Sequence, residues 1–147
     1  MELPMIKLSS DDLLVEPLTH QYESAIISED TINKFFNFSR KQSRQPVFIF
    51  GANWCPDCLV LDGVLKLPTI KKFINTTYEV LHIGVGDYSI NMDLMNYLGD
   101  SSGKGLPLVL IFNKGANLLN GSKSRELRTA RNKSYQDIFD YFQSYAC

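Results

Sequence analysis

The sequence has little cysteine, no long apolar run and almost no net charge, and each shortage excludes a class of protein. Three cysteines among 147 residues, with only Cys55 and Cys58 close together, make no disulfide framework for a small secreted scaffold. The longest uninterrupted apolar stretch lies near 106–112, too short to span a bilayer. Fifteen Lys and Arg against sixteen Asp and Glu leave a net charge of −1, which gives no reason to expect nucleic acid or an anionic membrane as partner. Aromatic residues fall mostly at helix or strand core positions and form no nucleic-acid platform. The start, Met1 to Lys7, has neither a basic head nor a continuous apolar core, so it does not read as a secretory signal. A cytoplasmic location is expected if Met1 is the native start, and a periplasmic or exported one if a leader has been removed.

What is there is an ordinary globular composition, 44% apolar and 21% charged, sized for one domain with its own core. One stretch organises it: Trp54-Cys55-Pro56-Asp57-Cys58, directly after the apolar run Val47-Phe48-Ile49-Phe50 and opening a helical stretch over 59–67. This is the pattern of a dithiol between the end of a strand and the start of a helix. Unpaired N–H groups at a helix N-terminus stabilise a thiolate, the nucleophile of disulfide exchange. A second thiol one turn away can then attack the mixed disulfide and release the substrate.

Residues 1–27 have no strong period and are expected to form an N-terminal extension, with an extended or turning lead-in at 16–20; residues 28–147 form the domain. Ser28 reads as a helix cap followed by first-turn acids, with Ile32, Phe35 and Phe36 on one face, and Gln45-Pro46 ends the pattern. The run 47–50 reads as a strand buried on both faces. Two helical pieces break at Pro68. A second strand is expected over 77–85, a short helix over 91–98 and a loop over 99–105. A third strand over 106–112 opens at Pro107, and 113–116 signals a hairpin into a short strand at 117–119. Ser134, with Asp137 three residues on, resembles a capping box, and Tyr135, Ile138, Phe139, Phe142 and Tyr145 mark a final helical stripe. The order implies a right-handed parallel crossover, with the closing hairpin adding antiparallel strands to the same sheet.

Half a zinc site, or two idle core cysteines, is the competing reading of the Cys55/Cys58 pair. Zinc needs four ligands, and Cys147, His20 and His82 lack ligand spacing, so redox chemistry is favoured and no metal or organic cofactor is expected. Cys147, the last residue, reads as incidental. His82, inside a strand pattern, reads as a packed or surface histidine rather than a catalytic one. Lys123, Arg125, Arg128, Arg131 and Lys133 read as a solvated loop, the alternative being a docking patch for an acidic partner. Asp57 lies between the thiols, where its charge opposes thiolate formation.

The motif and the element order resemble the thioredoxin family. Trp-Cys-Pro-Asp-Cys looks most like the small thioredoxin-related proteins and bacterial thioredoxin-like proteins with Cys-Pro-Asp-Cys centres. The resemblance spans about Ser28 to Tyr145 and implies an α/β thioredoxin fold, a central mixed sheet flanked by helices. It implies that Cys55 is the nucleophile and Cys58 resolves it, with Trp54, Pro56 and Leu106-Pro107 shaping the docking surface. It implies also that Pro107 follows a cis peptide bond opposite the cysteines. Two positions depart from the family pattern: Ile49 stands where many thioredoxins keep a buried acid, and Ile83 where a lysine often pairs with it. Gly63 replaces the usual proline of the active-site helix, with Asp62 beside it. Asp57 or Asp62 is therefore the expected base for Cys58. The expected function is thiol–disulfide exchange, chiefly reduction of a disulfide in a protein or small molecule, recharged by an upstream thiol reductant. An oxidase or isomerase of the same fold, or a non-catalytic binding module, are the alternatives.

Overall fold

A computed structural model describes residues 5–14, 18, 22–100 and 105–147; most of the 16–20 lead-in, His20, and most of the 99–105 loop lie outside the described residues. Three strands form the sheet in the order β2-β1-β3: β1 (Gln45–Gly51), β2 (Tyr78–Gly84) and β3 (Leu108–Ile111). β1 pairs parallel with β2, Val47 opposite Val80, and antiparallel with β3, Phe48 opposite Leu110. Every residue of β1 is buried, as its unbroken apolar run requires for a central strand covered on both faces. The mixed α/β sheet flanked by helices expected from the sequence is the one observed.

Helix α1 (Glu29–Lys41) starts where Ser28 accepts a hydrogen bond from the Thr31 N–H. Its Phe35 and Phe36 pack on Phe48 of β1, and Phe36 meets Phe112 edge-on. Helix α2 (Pro56–Leu65) packs against α3 (Pro68–Thr77) and α5 (Tyr135–Ser144), and rings of Phe73 and Phe139 join α3 to α5. The break between α2 and α3 falls at Pro68, which takes the first position of α3, where a missing N–H costs nothing. Ser134 caps α5 by accepting from the Asp137 N–H. Helix α4 is short, Asp93–Tyr97.

Two expectations are corrected. The stretch at 117–119 is no strand: a single bridge joins Phe112 to Leu118. Beside it, Asn120 accepts from the Ile111 N–H and donates to Val109 O, so a side-chain amide does the work of a ladder rung. The basic stretch is solvated at Lys123, Arg128 and Arg131, as expected, but it is not a loop. It forms two 3₁₀ helices, Gly121–Lys123 and Glu126–Asn132, the second packed on α2 with Leu127 and Ala130 buried. Within it Arg125 is buried and donates to both carboxylate oxygens of Asp100.

The described part of the segment before α1 is tied into the domain. Ile6 is bonded to Gln143 and Gln136 of α5, and Asp12 caps α3 from outside by accepting from Thr69 N–H and Oγ1–H. Tyr22 lies buried over the C-terminal ends of β1 and β2. Two glycines make room there: a Cβ on Gly51 would sit 2.5 Å from the Tyr22 ring, and one on Gly84 2.3 Å from Glu23 O.

Candidate active site

The site is built where β1 stops. The Cys55 N–H donates to Ala52 O at 3.1 Å, closing a turn that delivers Cys55 to the N-cap of α2 with Pro56 behind it. The Cys55 sulfur accepts from the Cys58 N–H at 3.3 Å, and its S–H faces Leu106 O at 3.8 Å. Both cysteines are free thiols; Cys55 is 6% exposed and Cys58 wholly buried. The Cys55 thiol is pulled down to about 7, first by the hydrogen bond from the Cys58 thiol and then by backbone N–H groups of Cys58 and Asp57, against burial and the Asp57 charge. The Cys58 thiol moves the other way, raised by that same hydrogen bond, by burial, and by the charges of Cys55 and Asp62. The two thiols are thus shifted in opposite directions.

Around it the motif residues take separate places. Trp54 is half-exposed, its Nε1–H donating to Gly86 O at 2.8 Å and its ring 5.5 Å from Tyr88. Tyr88 is also half-exposed and held in the left-handed region at φ 61°. Leu106 and Pro107 are buried beside Cys55, and the peptide between them is cis, as the resemblance implies. Asp57 turns to the rim, where its Oδ1 accepts from the Arg131 N–H at 2.9 Å and Nε–H at 3.2 Å. Asp62 points inward, 2% exposed. Its Oδ1 accepts from Tyr22 OH at 3.2 Å and from His82 Nε2–H at 3.0 Å, while Oδ2 is buried with no partner among the described residues. Tyr22 and His82 touch edge to face at 5.5 Å. Burial raises the Tyr22 phenol well above its usual value, and the charges of Asp62, Cys58 and Cys55 add to the shift. Ile49 and Ile83, at the two departures from the family pattern, are fully buried.

Of the residues singled out in the sequence, the structure places Cys55, Cys58, Pro56, Leu106 and Pro107 in one neighbourhood with Trp54 at its edge, and sets the two aspartates apart, Asp57 at the rim and Asp62 inside. In the sequence Tyr22 and Tyr88 have no assigned place, Arg131 stands only as part of the basic stretch, and His82 is without its partner. Two signals pointed to the buried network: an acid inside the apolar helix Leu59-Val60-Leu61-Asp62, and glycines ending both paired strands. Among the described residues no group of three or more His, Cys, Asp or Glu is placed to hold a metal, and no helix is long and apolar enough to cross a membrane. The arrangement sets the Cys55 sulfur beside Leu106-Pro107, with the half-exposed rings of Trp54 and Tyr88 on the neighbouring surface.

No protein-family model and no curated protein matches the chain. Solved structures do. A disulphide isomerase from Xylella fastidiosa Temecula1 is 30% identical, with a TM-score of 0.77 over 86% of this chain and 97% of that one. The germline-specific thioredoxin Deadhead of Drosophila melanogaster is 15% identical over 66% of this chain and 82% of its own, with a TM-score of 0.46. A thioredoxin from Thermus thermophilus is 20% identical over 69% and 84%, with a TM-score of 0.45. With the Cys55/Cys58 pair at the head of α2, the cis Leu106–Pro107 bond and the relative from Xylella matched over nearly its whole length, the chain belongs to the thioredoxin-like family.

Proposed function

We propose that the protein is a thiol–disulfide oxidoreductase working chiefly as a disulfide reductase. The Cys55 thiolate attacks one sulfur of a substrate disulfide, forming a mixed disulfide and expelling the first substrate thiolate. The Cys58 thiolate then attacks the Cys55 sulfur, forming the Cys55–Cys58 disulfide and expelling the second. Two electrons pass from the dithiol to the substrate, and an upstream thiol reductant restores the dithiol by the reverse exchange. No organic cofactor enters this scheme.

The observation that carries this reading is the placement of the pair: Cys55 at the N-cap of α2, its sulfur accepting from the Cys58 N–H and its thiol lowered, above a wholly buried Cys58 whose thiol is raised. A value of about 7 matches thioredoxin rather than the about 3.5 of the strongest oxidant of the fold, and so favours reduction. The relative from Xylella, described as a disulphide isomerase, supports isomerisation as the second reading. Reduction of insulin by dithiothreitol in the presence of the protein tests the proposal. Turnover is expected and should vanish in Cys55→Ser; a rate equal to that of dithiothreitol alone would identify a binding module instead. Reactivation of scrambled ribonuclease without net reductant would favour the isomerase.

A further inference from the structure

Resolution needs the Cys58 thiolate, yet the hydrogen bond to Cys55, burial and the Asp62 charge outweigh the Ala52 backbone and keep Cys58 protonated. The strand beneath is apolar from Val47 to Phe50, and the carboxylate whose charge acts on Cys58 is Asp62 of α2. Asp62 is one turn further on the same face, which sets its Cβ about 6 Å from that of Cys58, close enough for its charge to act on the thiol and for one water to join them. The alternative acid, Asp57, is at the rim and engaged by Arg131.

We propose that Asp62, held by His82 and Tyr22, accepts the proton of Cys58 during resolution and that His82 passes it to solvent. This rests on the exchange chemistry proposed above and assigns its proton path. Asp62 Oδ1 is committed to Tyr22 OH and His82 Nε2–H, which fix the carboxylate, while buried Oδ2 is left with a lone pair to fill. A carboxylate oxygen so placed is costly to the fold and useful to a proton in transit. His82 is the outlet. Its side chain is 23% exposed against 1% for Asp62, and both line an open cavity of about 260 Å³ with Lys66, Lys71 and Asn75. The groups facing Asp62 are therefore Cys58 and Cys55 from α2 and its cap, Tyr22 from the segment before α1, and His82 from β2. Lys66 and Lys71 stand on the cavity wall.

The balance is simple. Cys58–SH gives its proton to the Asp62 carboxylate and its new thiolate pair to the Cys55 sulfur; the S–S bond to substrate breaks, and the departing thiolate takes a proton from solvent. His82 returns the proton on Asp62 to water.

Single-turnover reaction of the reduced full chain, in a Cys147→Ser background, with dithiobis-nitrobenzoate separates the steps, because each step releases one coloured thiolate. In Asp62→Asn the ratio of second-phase to first-phase rate is expected to fall at least about tenfold and to rise in proportion to hydroxide, the mark of a lost general base. His82→Gln should lower the ratio at least about threefold, and the double variant should be no slower than Asp62→Asn alone, as for groups acting in series. A packing defect would shift neither the pH profile nor the additivity in this way. Ratios within about twofold of the parent at every pH in both variants would overturn the proposal. Should Asp62→Asn fail to fold, the half-buried His82→Gln decides alone. Absence of the first phase in the parent would overturn the exchange chemistry itself and this proposal with it.

Discussion

Cys55 and its neighbours set the reactivity of the site through a few short-range effects of opposite sign. The hydrogen bond from Cys58 and the N–H groups at the head of α2 favour the thiolate; burial and the Asp57 charge oppose it. The thiolate fraction therefore rises through pH 7, well below the about 8.5 of a free cysteine. Iodoacetamide alkylation of the reduced protein, in a Cys147→Ser background, should show a rate midpoint near 7. Asp57→Asn should lower that midpoint by roughly half a unit, the effect of one nearby charge already paired with Arg131. Arg131→Ala should raise it by a similar amount, because Asp57 then loses its counter-charge. A midpoint indifferent to both changes would show that the Asp57 charge does not reach the sulfur.

At the scale of elements, the site depends on pieces of chain that are distant in sequence. The cysteine turn, the buried strand before it and the proline opening β3 were legible because each is carried by a local pattern: an unbroken apolar run, a Cys-x-x-Cys spacing, a Leu-Pro at a strand head. Tyr22 was not, since it sits in a stretch with no period and meets Asp62 forty residues away only because Gly51 and Gly84 let the backbone pass. His82 reads from its strand as a packed residue, and it is one; its partner follows from the packing of α2 over β2, which no spacing reveals. The basic stretch misled for a related reason. Its charges suggest solvent, but Leu127 and Ala130 dock on α2, and Arg131 and buried Arg125 find carboxylates across the fold. The segment before α1 also caps α3, whose own cap residue Leu67 has no side-chain acceptor. Asp12→Ala is thus expected to cost about 1 kcal/mol in urea unfolding. A loss below about 0.3 kcal/mol would mean that water caps α3 equally well.

For the whole molecule, the central quantity is the free-energy difference between the dithiol and disulfide forms of one fold. A fold that strongly stabilises the Cys55 thiolate favours its own reduced state and becomes an oxidant. Here the thiolate is stabilised only to about 7, with Asp57 at the rim opposing it. Buried Asp62 adds to the forces holding the Cys58 proton in place. On the proposed reading, both effects favour the dithiol as electron donor. The mixed sheet, its parallel crossover and the place of the dithiol at the head of α2 were legible in the sequence; the strand order, the helix pairing and the tuning charges come from tertiary contacts. Equilibration of the Cys55–Cys58 couple against graded glutathione or dithiothreitol buffers tests this most directly. The expected midpoint is at or below about −200 mV, in the range of thioredoxins and glutaredoxins. A midpoint near about −120 mV, that of the strongest oxidant of the fold, would contradict it.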